Sequence, residues 1–161
     1  MKQQWNPPLS GTIDITIKAN GDWYHEGVKF TRMPLAKLFS SILKKEGDDY
    51  FLLSPVEKWK ISVEDVPFLV VDMEIIENPT DTRKHRIQFK TTTDDVFFLD
   101  ADHPLRLLKQ RHGEDVRPYV LVRDNLEAIL HRNIFYRLAE MAEMHEGKQG
   151  VWSSDLFFPL E

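Results

Sequence analysis

The sequence predicts an α+β protein of two fused halves built on antiparallel sheets, each with a packed helix. Three observations carry that expectation. Short apolar or alternating runs such as YVLV at Tyr119 and FLVVDMEII at Phe68 have the length and β-branched content of strands. Two longer stretches repeat apolar residues at three- and four-residue steps, the period of an amphipathic helix. Between them ENPTDTRK, from Glu77 to Lys84, is the one polar stretch with turn chemistry long enough to separate halves. The halves are therefore expected at 10–78 and 79–161.

Met1 to Ser10 is a polar lead-in with Pro7 and Pro8. Ile13, Ile15 and Ile17 then alternate with Asp14, Thr16 and Lys18, which is a half-buried strand. Asn20-Gly21 is a hairpin signal, and the return strand holds Trp23, Tyr24, Val28 and Phe30. Whether Trp23 or Tyr24 joins the isoleucine face depends on the turn length. Thr31 is the expected N-cap of the first helix, with Pro34 tolerated in its first turn. Its stripe is Leu35, Leu38, Phe39, Ile42 and Leu43, with Lys44 and Lys45 in the last turn and Gly47 after it.

Tyr50 to Leu53 reads as a buried strand stopped by Ser54-Pro55, and Trp59, Ile61 and Val63 alternate as another. Beyond the boundary, Ile87 and Phe89 alternate, VFFL follows a turn at Asp94/Asp95, and LRLL follows His103-Pro104. RHGED around Gly113 is a turn. The longest element is expected over 124–146: Asp124 with Glu127 forms a capping box, and Leu126, Ile129, Leu130, Ile134, Leu138 and Met141 form the stripe. His145 suits its negative end and Gly147 its left-handed cap. GVWSSDLFFPLE is too apolar for a loose tail. DDYFLL at Asp48 resembles DDVFFL at Asp94, and VEDVPFLVV at Val63 resembles LDADHPLRLL at Leu99, which suggests a duplication.

A chain of 161 residues can bury a sizeable core, and 42% apolar with 29% charged residues is ordinary for a globular protein. Lys+Arg 21 against Asp+Glu 26 gives a net charge of -5, which argues against nucleic-acid polymers and anionic membranes as partners. Without cysteine there is no disulfide, thiol nucleophile or thiolate metal site. The beginning of the chain lacks an apolar h-region and no apolar run reaches 18 residues, so a cytoplasmic protein is expected.

Asp94, Asp95, Asp100, Asp102 and His103 offer oxygen and imidazole, but no His pair has metal spacing, and turn acids explain them better. Ser153 and Ser154 lack a nucleophile elbow, and Glu140 with Glu143 reads as a solvated helix end. Phosphate recognition carries more weight. Arg123 precedes the expected helix N-terminus, where free N–H groups favour an anion. Arg132 and Tyr136 stand one turn apart, a guanidinium fork beside a ring, although a structural ion pair and a partly buried core aromatic account for them better. No catalytic residue, metal or cofactor is expected.

NGDWYHEG at Asn20, FSSIL, YFLLSPVEKWKISVEDVPF at Tyr50, DADHPL at Asp100, RPYVLVRDNLEA at Arg117 and GVWSSDLFFPL at Gly150 together resemble the bacterial family called domain of unknown function 1285. The resemblance implies a duplicated α+β core whose C-terminal half is like a pleckstrin-homology sheet closed by a helix. It also implies a cleft between halves for a nucleotide-like ligand and a part in signal transduction. Combined with the residues, the expected ligand contacts are Glu57, Lys58, Arg123, Arg132, Tyr136, Trp152 and Ser153. Arg123, Arg132 and Lys58 would hold phosphate charge, Trp152 or Tyr136 would stack a base, and Glu57 would orient Lys58 or a ribose. A protein-interaction module using an open sheet edge is the alternative.

Overall fold

Strand pairing begins where the isoleucine alternation places it. The computed structural model describes residues 5–109 and 116–161. β1 (Gly11–Ile17) and β2 (Trp23–His25) form an antiparallel hairpin around Asn20-Gly21, with Gly21 at φ 86. Ile17 faces Trp23 and Ile15 faces His25, so Trp23, and not Tyr24, shares the isoleucine face. β3 (Val28–Lys29) returns through Glu26-Gly27, both at positive φ, the twist that a two-residue hairpin turn prefers.

α1 (Met33–Ser41) differs from expectation in three ways. Its N-cap is Arg32 rather than Thr31, with no side-chain cap. It ends at Ser41, because β4 (Leu43–Glu46) pairs antiparallel, from Leu43↔Leu52 to Glu46↔Asp49, with β5 (Asp49–Leu53). Lys44, Lys45 and Gly47 thus belong to a hairpin whose ladder satisfies the backbone groups a longer helix would have used. Its buried residues are the small Ala36 and Ser40, while Leu38 of the expected core stripe is 59% exposed. β6 (Lys58–Val63) pairs antiparallel with β5 and parallel with β1, Gly11 opposite Trp59. The sheet order is β3-β2-β1-β6-β5-β4.

The chain divides into two compact units at Pro67/Phe68, with Asp124–Leu126 grouped with the first. ENPTDTRK, expected to be the boundary, instead connects two paired strands of the second unit, β7 (Phe68–Ile76) and β8 (Arg86–Thr91). β9 (Val96–Phe98), β10 (Leu105–Lys109), β11 (Val116–Arg123) and β12 (Leu126–Leu130) complete this sheet. Its order is β10-β11-β12-β7-β8-β9, with β12 parallel to β7. Each unit thus joins two three-stranded meanders through its first and last strands. The RHGED turn lies outside the described residues.

The helix expected over 124–146 is three elements. Asp124 and Asn125, at φ 46 and 53, make the tight turn into β12. Leu126, Ala128 and Leu130 are buried and Glu127 and Ile129 less so, an alternation of period two inside a stretch that also satisfies helical spacing. α2 (Arg132–Glu140) starts only after it, capped by His131 Nδ1, which accepts from the Asn133 N–H at 3.1 Å. β13 (Glu143–His145), β14 (Lys148–Ser153) and β15 (Leu156–Pro159) form a small antiparallel sheet, with Glu146-Gly147 as its first turn. The expected docking of the chain's end is realised by buried Val151 and Phe158. The second half thus has its helix after the six-stranded sheet, as expected, with the small sheet added beyond it.

α2-β13-β14-β15 repeats the order of α1-β4-β5-β6, each with a two-residue turn after its first strand, Gly47-Asp48 in one and Glu146-Gly147 in the other. The short sequence matches do not mark this repeat. DDYFLL forms β5, fifth in its sheet's chain order, whereas DDVFFL leads into β9, third in its own. No helix among the described residues is long and apolar enough to cross a membrane.

Candidate functional site

In the N-terminal unit, the isoleucine face of β1 and β2 is only partly covered. Trp23, Phe30 and Phe39 pack together with ring centroids 6.0 to 6.4 Å apart, which fastens α1 over the Trp23 end of the sheet. The Trp23 indole N–H is buried there without an acceptor among the described residues. Leu35 and Phe39 of α1 line the remaining stretch beside Ile13 and Ile15. What remains is a groove of ≈ 380 Å³ walled by Ile13, Ile15, Val28, Phe30, Leu35 and Phe39.

Its polar members are His25, Lys29, Thr31 and Arg32, and no carboxylate lines it among the described residues. The Lys29 ammonium lies 3.4 Å from Asp22, and His25 lies 4.0 Å from Glu26. The Arg32 guanidinium, at the start of α1, has no partner among the described residues. Pro34 supplies no N–H to that first turn, and the Leu35 and Ala36 N–H groups donate to the Arg32 carbonyl, so the charge at this lip comes from the Arg32 and Lys29 side chains.

The residues expected from sequence fall differently. Glu57 accepts from the Trp59 indole N–H at 3.2 Å. Lys58 does not turn to Glu57. Strand alternation and the β4-β5-β6 register bring it to Glu46, at 2.7 Å, over the Phe51 ring. The hydrogen bond from Lys58 holds the Glu46 carboxyl below its ordinary range.

In the C-terminal unit Arg123 lies 3.6 Å from Asp95 and above Phe68, and Asp95 also accepts from Thr91 and Thr93 hydroxyls. It precedes a hairpin turn, so the helix N-terminus expected beside it is not there. Trp152 packs against His145 and Phe157 with Arg83 over its face, and its carbonyl accepts from His85 Nε2 at 2.6 Å.

Ser153 is a correction: it is 0% exposed, accepts from the Ile87 N–H at 2.9 Å and donates to the Leu99 carbonyl at 2.7 Å. Its hydroxyl pins the small sheet to β8, its one proton is spent on the Leu99 carbonyl, and its burial closes it to a ligand. Arg132 and Tyr136 do share the outward side of α2, and Tyr136 is 55% exposed. Asp100, expected to mark a turn, accepts from the Asp102 and His103 N–H groups and lies 2.8 Å from His103 Nδ1.

The groove went unread in the sequence. Its one available sign was a helix opening Thr31-Arg32-Met33-Pro34 with large apolar residues at Met33, Leu35 and Leu38 and small ones at Ala36 and Ser40, a pattern that leaves the bulk outside.

Residues 2–66 match the model of the DUF1285 N-terminal domain, a domain of unknown function, and residues 67–160 match that of the DUF1285 C-terminal domain. The two matches meet where the structure divides. Among solved structures, a DUF1285 family protein from Silicibacter pomeroyi DSS-3 is 41% identical over 97% of this chain and 84% of its own, with a TM-score of 0.89. Another, from Shewanella baltica OS155, is 30% identical over 78% of this chain and 90% of its own, with a TM-score of 0.62. No curated protein matches the chain.

Proposed function

The chain belongs to the DUF1285 family, and we propose that it is a cytoplasmic, non-catalytic module that senses a small anionic ligand in bacterial signal transduction. The observation that carries this reading is the groove of the N-terminal unit, whose lip is cationic in a chain of net charge -5. A groove of ≈ 380 Å³ falls in the range of small-molecule sites, about 300–1,000 Å³. A local cationic lip favours anions even where the molecule as a whole repels them. Arg132 and Tyr136, exposed together on α2, are a second place for a charged head beside a ring, the arrangement a nucleotide would use.

Thermal-shift measurements on the full chain with nucleotides and with small organic acids test the proposal. A ligand at about 100 times its Kd should add about 2.7 kcal/mol of stability. A flat response to every anion would overturn it. The alternative, a protein-interaction module, rests on β10, which ends its sheet and carries Leu108 exposed at the edge. It predicts a stoichiometric partner whose binding is lost on Leu108→Lys.

A further inference from the structure

The geometry points to a specific ligand class for the groove: an amphiphilic carboxylate, with an unbranched acyl chain along the apolar wall and its head group on Arg32. This rests on the reading of the chain as an anion-binding module and adds the chemistry of the anion.

Apolar surface and charge are segregated in this groove. Ile13, Ile15, Phe30 and Phe39 offer no hydrogen-bonding group, so they give a base edge or a sugar hydroxyl no partner. Val28, 69% exposed, extends the same wall to the rim. Ile13, Phe30 and Phe39 are half-buried along this wall, and a methylene chain is what they would bury further. Charge is confined to the lip, where Asp22 draws on Lys29 and Glu26 faces His25. Arg32 is the cation there without a partner among the described residues.

One planar guanidinium matches one carboxylate in a two-point fork. A phosphate dianion would also have to draw Lys29 from Asp22, whereas a carboxylate needs Arg32 alone. The size of the groove is that of a small-molecule site, whereas a protein partner needs about 800 Å² on each side. A lone chain with a monovalent head meets the volume, the apolar wall and the charge together.

Isothermal titration of the full chain with decanoate, below its micelle concentration, tests the assignment. It should bind at one to one, with affinity rising about fourfold per methylene from octanoate to decanoate. Arg32→Gln, at an exposed position, should weaken decanoate at least tenfold and leave 1-decanol unchanged. Val28→Glu, equally exposed, should abolish both. Absence of decanoate binding, a flat chain-length series, or equal affinity in Arg32→Gln would each overturn the assignment. AMP in parallel separates the two levels. Binding of AMP with decanoate silent removes the acyl carboxylate but keeps anion sensing, and silence from AMP, decanoate and the other organic acids removes both.

Discussion

Removing the Ser153 hydroxyl leaves the Ile87 N–H and the Leu99 carbonyl without that partner in a site closed to water. Ser153→Ala should therefore cost about 1–3 kcal/mol, read as a lower urea midpoint at unchanged m. The pair of Lys58 and Glu46 has a different signature. Because the Glu46 carboxyl is held low, its contribution is present above the ordinary carboxylate range and disappears as pH falls through the lowered value. Lys58→Met should lower the melting temperature near neutrality, by the equivalent of about 0.2–1 kcal/mol for a partly exposed pair, and the gap should close once pH has fallen through the lowered carboxyl value. Neither role was legible in the sequence. Ser153 and Trp152 looked alike as ligand candidates until alternation along β14 turned one inward, and the partner of Lys58 is fixed by two strand registers that no local pattern encodes.

Of the two helices, α2 is the one whose start the sequence misplaced further. RDNLEAIL fits a capped helix at Asp124 and also a tight turn followed by an alternating strand. Pairing with β7 decides for the strand, since it gives Ala128, Ile129 and Leu130 a ladder that a surface helix could not. The helix then begins at His131, whose imidazole takes the place of the usual hydroxyl or carboxylate. His131→Ala should cost about 0.5–2 kcal/mol, whereas His131→Asp should hold or raise the melting temperature by adding a negative charge at the positive helix end. Equal melting temperatures for the two variants would show that the cap is dispensable. By contrast β1, β2, β5, β6 and β7 were legible from alternation and turn residues alone, because each half-buried or buried strand announces itself within its own length.

For the molecule as a whole, the doubled strand order was only hinted at by sequence, and by the wrong segments. Topology is preserved through hydrophobic pattern and turn geometry, which many sequences satisfy, so equivalent strands need share no residues. All six strands of the first sheet, with α1, lie before Pro67. A fragment of residues 1–67 is accordingly expected to unfold cooperatively in urea, with m near the low end of small domains, about 1 kcal/mol/M. A non-cooperative, shallow loss of signal would show that this half depends on the rest of the chain.

The parallel contacts of β1 with β6 and of β7 with β12 also dictate a schedule. The meanders are local and can form as soon as their residues are made, but the opening strand of each half must wait for the closing one. During synthesis, then, a nascent first half keeps one flank of β1 bare until Val63 has left the ribosome, and the second keeps β7 so until Leu130 has followed. That interval, rather than the finished protein, is when this chain most needs protection from its neighbours.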